Sequence, residues 1–105
     1  MSAVVYSRWA LRPGADRVAL GNAALDFCRF QRSREGTLNS RYFWPDANTV
    51  VIVGEIDHPR RVYGGEPSAD GARIQFSLAD LADRTAFEIW SGAREGTDQN
   101  QLAGR

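Results

Sequence analysis

Residues 38–57 decide the fold and read Leu38-Asn-Ser-Arg-Tyr-Phe-Trp-Pro-Asp-Ala-Asn-Thr-Val-Val-Ile-Val-Gly-Glu-Ile-Asp57. Two runs rich in aromatic and β-branched residues flank Pro45–Asn48, a segment whose residues favour turn dihedral angles. Strand-like runs on both sides of a turn segment predict an antiparallel β-hairpin. We expect the remaining elements of the chain to cover this hairpin.

The pairing register of the hairpin decides which side chains share a face of the sheet. A four-residue turn over Pro45–Asn48 would pair Trp44 with Thr49. That register predicts two mixed faces, one with Leu38, Ser40, Tyr42, Trp44, Val51, Val53 and Glu55 and the other with Asn39, Arg41, Phe43, Val50, Ile52, Gly54 and Ile56. A slip of one residue would exchange the faces, and the sequence leaves both registers open.

A strand and a helix are predicted before the hairpin. Ala3–Leu11 has apolar side chains at odd and even positions, which predicts a strand covered on both faces, and Pro13-Gly14 ends it. From Asp16 to about Arg34 apolar residues recur at helical spacing. Asp16 is placed to cap the start of this helix, and Gly36 follows its last turn.

The chain after the hairpin predicts a loop and then a second helix. His58–Gly71 is rich in Gly and Pro and predicts a long loop, and Ala72–Phe76 predicts a short strand or an extended approach. Ser77 is placed as the first residue of a helix whose apolar residues recur every three or four positions, to an end near Gly92 or Gly96. Residues 96–105 are predicted to form a polar tail.

Composition bounds the class of protein. A chain of 105 residues predicts a single α+β domain over residues 1–105, with an ordered core over about 3–95. Thirteen arginines, with no lysine, are interspersed with thirteen acidic residues, which argues against nucleic acid and against a membrane as partners. One cysteine, Cys28, and the lack of a signal sequence or a bilayer-spanning run favour a cytoplasmic location. Cys28 itself is interpreted as a core residue.

Four motifs occur in a characteristic order: Tyr6–Gly14, Arg41–Trp44, Val50–Ile56 and Thr85–Trp90. Their order resembles the dimeric α/β-barrel superfamily and, within it, the antibiotic-biosynthesis monooxygenase-like group. In that superfamily the final helix commonly carries an aromatic-rich segment similar to Thr85–Trp90. The resemblance extends over roughly residues 3–95.

The resemblance implies an α+β, ferredoxin-like two-layer sandwich with βαββαβ order, in which two helices cover one face of an antiparallel sheet. It also implies a homodimer whose two sheets pack face to face into an α/β barrel. The family order needs a strand after the second helix, and the polar tail does not supply one. Ala72–Phe76 is the other candidate for the fourth strand, so its position stays open.

The superfamily includes oxygenases of polycyclic phenols that need no cofactor, haem-degrading enzymes and lactone isomerases. The resemblance therefore implies a small-molecule-binding protein without a cofactor, and two hypotheses remain. The first is an oxygenase or isomerase acting on an aromatic, polyketide-like ligand, and the second is a non-catalytic dimeric module that binds a ligand or a protein. Haem degradation is disfavoured because that branch uses a histidine on the second helix, and residues 77–94 contain none. The sequence also lacks a metal-ligand cluster.

A ligand site of this kind needs aromatic walls and a few hydrogen-bond donors. The candidate wall residues are Trp9, Tyr42, Trp44 and Trp90, and the candidate catalytic donors are Asn39, Arg41 and His58. Core packing is the competing interpretation for Trp9 and Trp90, and an exposed loop position is the competing one for His58. Arg41 is expected either to form an ion pair, with Glu55 or Glu88, or to point into a pocket or interface.

Overall fold

The protein folds into one antiparallel sheet with helices on one face. The computed structural model describes residues 2–57 and 69–93. Within them the elements are β1 (Ala3–Leu11), α1 (Arg17–Ser33), β2 (Thr37–Asp46), β3 (Thr49–Ile56), α2 (Ala69–Leu81) and β4 (Ala82–Ser91). The strand order is β2-β3-β1-β4, and each neighbouring pair is antiparallel. The expected α+β, ferredoxin-like fold with βαββαβ order is confirmed.

Helix α1 begins and ends close to the predicted positions. Asp16 has extended backbone angles, and its Oδ1 accepts a hydrogen bond from the backbone N–H of Val18 at 2.9 Å. That bond satisfies one of the free N–H groups of the first turn. After the helix, Gly36 has a φ of +89°, a conformation that favours glycine, and its carbonyl accepts from the N–H of Asp57 at 2.8 Å. The chain thereby turns from α1 into the hairpin.

The hairpin forms, but the predicted register is wrong by one residue. Asp46 pairs with Thr49 across a two-residue turn, and Phe43 pairs with Val51, with an irregularity between Phe43 and Asp46. Strand β2 therefore runs through Pro45, which is tolerated because β2 lies at the edge of the sheet. The slip exchanges the predicted partners of the two faces. One face now has Ser40, Tyr42, Val50, Ile52, Gly54 and Ile56, and the other has Asn39, Arg41, Phe43, Val51, Val53 and Glu55.

The predicted second helix is wrong at both ends, and only residues 77–81 of it are helical. Helix α2 already includes the segment 72–76 that was expected to be a strand, and it ends at Leu81. Ser77 does not cap it: the hydroxyl lies inside the helix and donates to the carbonyl of Arg73 at 3.0 Å. The following residues form β4, which is the fourth strand that seemed absent from the sequence. Their aromatic and β-branched side chains favour a strand, and their short apolar run satisfies helical and strand spacing alike.

The core lies between the sheet and the two helices. Its buried members come from every described element except β2: Trp9 from β1, Leu20, Ala23, Ala24 and Cys28 from α1, Val50 and Ile52 from β3, Leu78 from α2 and Ala82 from β4. Partly buried side chains close its edges, namely Leu11, Phe27, Tyr42, Trp44 and Leu81. Strand β2 contributes Tyr42 and Trp44 to this rim, where the sheet meets α1. Neither described helix is long and apolar enough to cross a membrane.

Two predictions lie outside the described residues. They are residues 58–68 of the predicted loop, which include His58, and the predicted polar tail over residues 96–105. Both remain sequence predictions. The last three residues of the predicted loop, 69–71, are described and belong to α2, so the loop is shorter than predicted. The site is therefore built from the sheet, α1 and α2.

Helix α2 offers a matched test of the packing. Leu78 is fully buried, whereas Phe76 on the same helix is 67% exposed. We expect Leu78→Ala to lower the free energy of unfolding by about 2–5 kcal/mol, because it removes buried methyl groups and leaves a cavity. Phe76→Ala should change it by less than about 0.5 kcal/mol. Urea unfolding of both variants checks this, and equal losses would contradict the assignment of the two faces.

Candidate functional site

Trp9 is the buried centre of the helix-facing side of the sheet. It is only 6% exposed, and its Nε1–H donates to Oγ of Ser7 at 2.9 Å. The hydrogen bond satisfies the one polar atom of the indole, which is the usual arrangement for a tryptophan inside a core. Trp9 is therefore a core residue in the described structure, in agreement with the core packing that was the competing interpretation of this residue. Trp9 could bind a ligand only if that ligand entered the core.

Trp44 is held between α1 and the hairpin turn. The guanidinium carbon of Arg17 lies 4.2 Å from the centre of the Trp44 ring, and Nε of Arg17 donates to the carbonyl of Ala47 at 2.8 Å. Gly21 lies beneath the ring, where a Cβ atom would come within 3.3 Å of Cζ2 of Trp44. The absence of a side chain at Gly21 thus lets the indole pack directly on the helix. Together with Tyr42, Trp44 forms a half-buried aromatic edge next to the core.

A small polar cluster is buried behind this edge. Cys28 and Ser40 are both almost fully buried, and the pKa of the Cys28 thiol is raised by its burial. A hydrogen bond with Ser40 and the charge of Arg32 offset part of that effect. Nε of Arg32 also donates to the carbonyl of Ser40 at 2.8 Å, which ties α1 to β2. A thiol with a raised pKa is a poor nucleophile at neutral pH, so Cys28 serves packing.

The opposite face of the sheet carries three of the candidate residues. Asn39 and Arg41 project from β2, and Trp90 projects from β4. Trp90 is 43% exposed and stacks on Tyr6, with ring centres 5.9 Å apart and an interplanar angle of 15°. Trp90 is therefore not a core residue in the described structure. Its Nε1–H donates to Oε1 of Glu88 at 3.3 Å.

Arg41 does not form the expected ion pair. Its side chain is exposed, and the guanidinium carbon lies 5.6 Å from the centre of the Phe43 ring. Among the described carboxylates, neither Glu55 nor Glu88 pairs with it. The expectation assumed that Arg41 was buried in an apolar hairpin, and the observed register places it instead on the face that no described helix covers. The exposed guanidinium of Arg41 stays hydrated, so it needs no ion-pair partner to offset a desolvation cost.

The candidate residues are thus divided between two faces. Trp9, Tyr42 and Trp44 face the helices, whereas Asn39, Arg41 and Trp90 lie on the other side of the sheet. His58 lies outside the described residues. Within a single chain the described donors and the aromatic walls do not converge on one point. The described part of the chain also contains no group of three His, Cys, Asp or Glu side chains placed to hold a metal ion.

Sequence reasoning missed a pair of residues on β4. Arg84 and Phe87 were assigned to a helix, yet both lie on the strand, with the guanidinium carbon 4.6 Å from the ring centre. Phe87 lies opposite Ser7 and Arg84 lies opposite Trp9, so both face the helix side. A strand with regular alternation would have placed them on opposite faces. No feature of the sequence predicts the irregularity in the pairing of β4 with β1 that places both residues on one face.

Comparison with known proteins identifies the class of fold. No protein-family model and no curated protein matches the sequence. Solved structures do match: SnoaB, a cofactor-independent oxygenase from Streptomyces nogalater, superposes with a TM-score of 0.78 at 7% identity, over 92% of this chain and 98% of that chain. Rv0793 from Mycobacterium tuberculosis has a TM-score of 0.73 at 19% identity, over 91% and 99% of the two chains. These similarities establish the fold.

A third solved structure has the same fold. A protein proposed to be an antibiotic biosynthesis monooxygenase, from Nitrosomonas europaea, has a TM-score of 0.73 at 13% identity, over 87% of this chain and 89% of that chain. The chain therefore shares the ferredoxin-like fold of these proteins, which confirms the fold that the order of its motifs implied.

The buried thiol predicts a specific pH dependence. Because the fold raises the pKa of Cys28, the contribution of the neutral thiol to stability is full below the pKa of the unfolded state, about 8.5, and is lost as pH rises through the folded value. We expect the stability advantage of the wild type over Cys28→Ala to be constant below about pH 8 and to shrink as the pH rises above about 8.5. Urea midpoints of both proteins measure it, and parallel pH profiles would contradict the raised pKa.

Proposed function

We propose that this chain is the subunit of a small-molecule-binding, dimeric α/β-barrel protein that oxygenates or isomerises an aromatic, polyketide-like ligand without a cofactor. The observation that carries the proposal is the aromatic edge formed by Tyr42 and Trp44, which lies beside the core between the sheet and α1. Half-buried aromatic side chains at the border of an apolar interior are well suited to hold a planar ring. The similarity of the fold to that of a cofactor-independent oxygenase supports an oxygenase that needs no cofactor.

The reaction proposed for an oxygenase balances with molecular oxygen as the only co-reactant. An anthrone-type ligand loses a proton from its CH₂ group to give an enolate, which O₂ attacks at carbon. The resulting peroxide anion takes up the proton that was released, and the hydroperoxide then loses water to leave a carbonyl group, so the ligand is oxidised and O₂ is reduced. The protein would position the planar ligand and stabilise the enolate oxygen with hydrogen-bond donors.

The uncovered face of the sheet supports the proposed dimer. Tyr6, Phe43, Val51, Val53 and Trp90 lie there, and Phe43 is 49% exposed. Exposed aromatic and aliphatic side chains interspersed with charged ones, such as Arg41 and Glu88, are typical of an interaction surface. A second copy of the chain would cover this face symmetrically, which the two-sided apolar pattern of β1 favours.

One observation favours the non-catalytic alternative. The described candidate donors Asn39 and Arg41 lie on the opposite face of the sheet from Tyr42 and Trp44. A catalytic site needs its donors and its reacting ligand to meet at one point. A dimeric module that binds an aromatic ligand without changing it requires only the aromatic edge.

Binding and turnover of a polycyclic phenol separate these functions. We expect dithranol, a dihydroxyanthrone, to quench the tryptophan fluorescence of the wild type, and an oxygen electrode to record faster O₂ consumption than in buffer. Trp44→Ala should weaken binding, whereas Trp44→Phe, which keeps a ring, should retain most of it. Binding without O₂ consumption and without a change in the absorption spectrum of the ligand would favour the non-catalytic module, and binding without O₂ consumption alone would rule out the oxygenase. The absence of binding would contradict both.

The uncovered face offers a matched test of dimerisation. Val53 lies on that face, whereas Val18 is 68% exposed on the first turn of α1. We expect Val53→Asp to convert the dimer to a monomer in sedimentation analysis, because it buries a carboxylate in an apolar interface. Val18→Asp should leave the dimer intact, since an acidic residue near a helix N-terminus is favourable. A Val53→Asp protein with the mass of the wild type would exclude this face as the interface.

A further inference from the structure

The uncovered face of the sheet carries opposite charges at its two edges. One row of directly paired side chains crosses all four strands, namely Arg41 on β2, Val53 on β3, Tyr6 on β1 and Glu88 on β4. Strands β2 and β4 are the edges of the sheet, so this row begins with a cation and ends with an anion. Both charged side chains are exposed.

Arg41 and Glu88 do not pair with each other within one chain. Neighbouring strands lie about 4.8 Å apart, so three spacings separate the two residues by about 14 Å. Each charged group instead contacts an aromatic side chain of its own strand. The guanidinium carbon of Arg41 lies 5.6 Å from the centre of the Phe43 ring, and Oε1 of Glu88 accepts from the indole of Trp90 at 3.3 Å. These contacts hold both charges on the uncovered face, where a second molecule can reach them.

A symmetric dimer brings these charges together in one of two aligned arrangements. Two aligned sheets that pack face to face keep their strand directions within about 30°, so the two-fold axis lies between the sheets and runs either along the strands or across them. An axis along the strands places β2 over β4 of the partner, and Arg41 then faces Glu88 of the partner subunit. An axis across the strands places each edge strand over its own copy, and like charges then face each other, which is unfavourable.

The rows on either side favour the same axis. Phe43 and Ala86 are the outer members of one neighbouring row, and Asn39 and Trp90 are those of the other. With the axis along the strands, the large ring of Phe43 meets the small side chain of Ala86 of the partner subunit. The large indole of Trp90 meets the smaller Asn39 of the partner subunit. Large side chains opposite smaller ones let two packed faces interdigitate.

We propose that Arg41 of each protomer forms an ion pair with Glu88 of the partner subunit, at the two edges of the dimer interface. The inference rests on the proposed function, in which the uncovered face is that interface. It adds which strands meet: β2 of one protomer lies over β4 of the other, so the pair occurs twice in the dimer. Charge pairs at the edge of an interface fix its orientation, because the wrong arrangement brings like charges together.

Exchange of the two charges tests the ion pair. We expect Arg41→Glu and Glu88→Arg each to raise the dissociation constant of the dimer roughly tenfold or more in sedimentation equilibrium, because each change places like charges together twice. The double variant Arg41→Glu/Glu88→Arg should restore most of the affinity, since it reverses both charges. High salt should reduce the loss in each single variant, because it screens exposed charges.

Arg29→Glu is the matched control, since it makes the same charge change at an exposed position of α1 and should leave the dissociation constant unchanged. Circular dichroism of each variant checks that it is folded. If the single variants dimerise like the wild type, or if the double variant does not recover, the ion pair is wrong and the proposed dimer stands. Recovery of Arg41→Glu by Glu55→Arg in place of Glu88→Arg would also overturn the ion pair. If the wild type is a monomer, the ion pair falls together with the proposed dimer.

Discussion

The hydrogen bond from the backbone N–H of Asn48 to Oδ1 of Asp46, at 2.9 Å, fixes the turn on which the rest of the structure depends. This hydrogen bond lowers the pKa of Asp46. It also makes Asp46 the residue before the turn, whereas the sequence predicted a turn that already includes Pro45. The two-residue turn then pairs Asp46 with Thr49 and sets the register of β2 against β3. Because side chains alternate across a strand, that single choice decides which residues face the helices.

The register creates two surfaces with different roles. On one side, small residues such as Gly21 and Ala24 let α1 approach the sheet closely, and Trp44 fills the remaining edge of the core. On the other side, apolar and charged side chains alternate without a described helix above them. The first surface carries the proposed ligand site and the second carries the proposed dimer interface. A four-residue turn would have exchanged the hairpin side chains between these surfaces.

The sequence predicted the elements whose signals are local and unambiguous. Asp16 and the spacing of apolar residues located α1, and the aromatic and β-branched runs located the hairpin. The boundary between α2 and β4 was missed because the apolar residues on both sides of it recur at helical spacing, and no Gly or Pro between Leu81 and Ala86 marks the end of the helix. The order of motifs still led to the correct fold, because it does not depend on that boundary.

The candidate site was less predictable than the fold. Tyr42 and Trp44 lie together beside the core, but Arg41 and Asn39 were separated from them by alternation along the same strand. The shared face of Arg84 and Phe87 could not be predicted from the sequence, since it follows from a β-bulge at Thr85, an extra residue of β4 that has no partner on β1. Side-chain direction near a bulge is a property of the assembled sheet.

Native mass spectrometry of the wild-type chain in the presence of dithranol tests the central claim most directly. The account predicts a species with twice the 11.6 kDa mass of the chain, carrying bound ligand. If the spectrum shows only a single chain without ligand, at a protein concentration well above the detection limit, the account is contradicted.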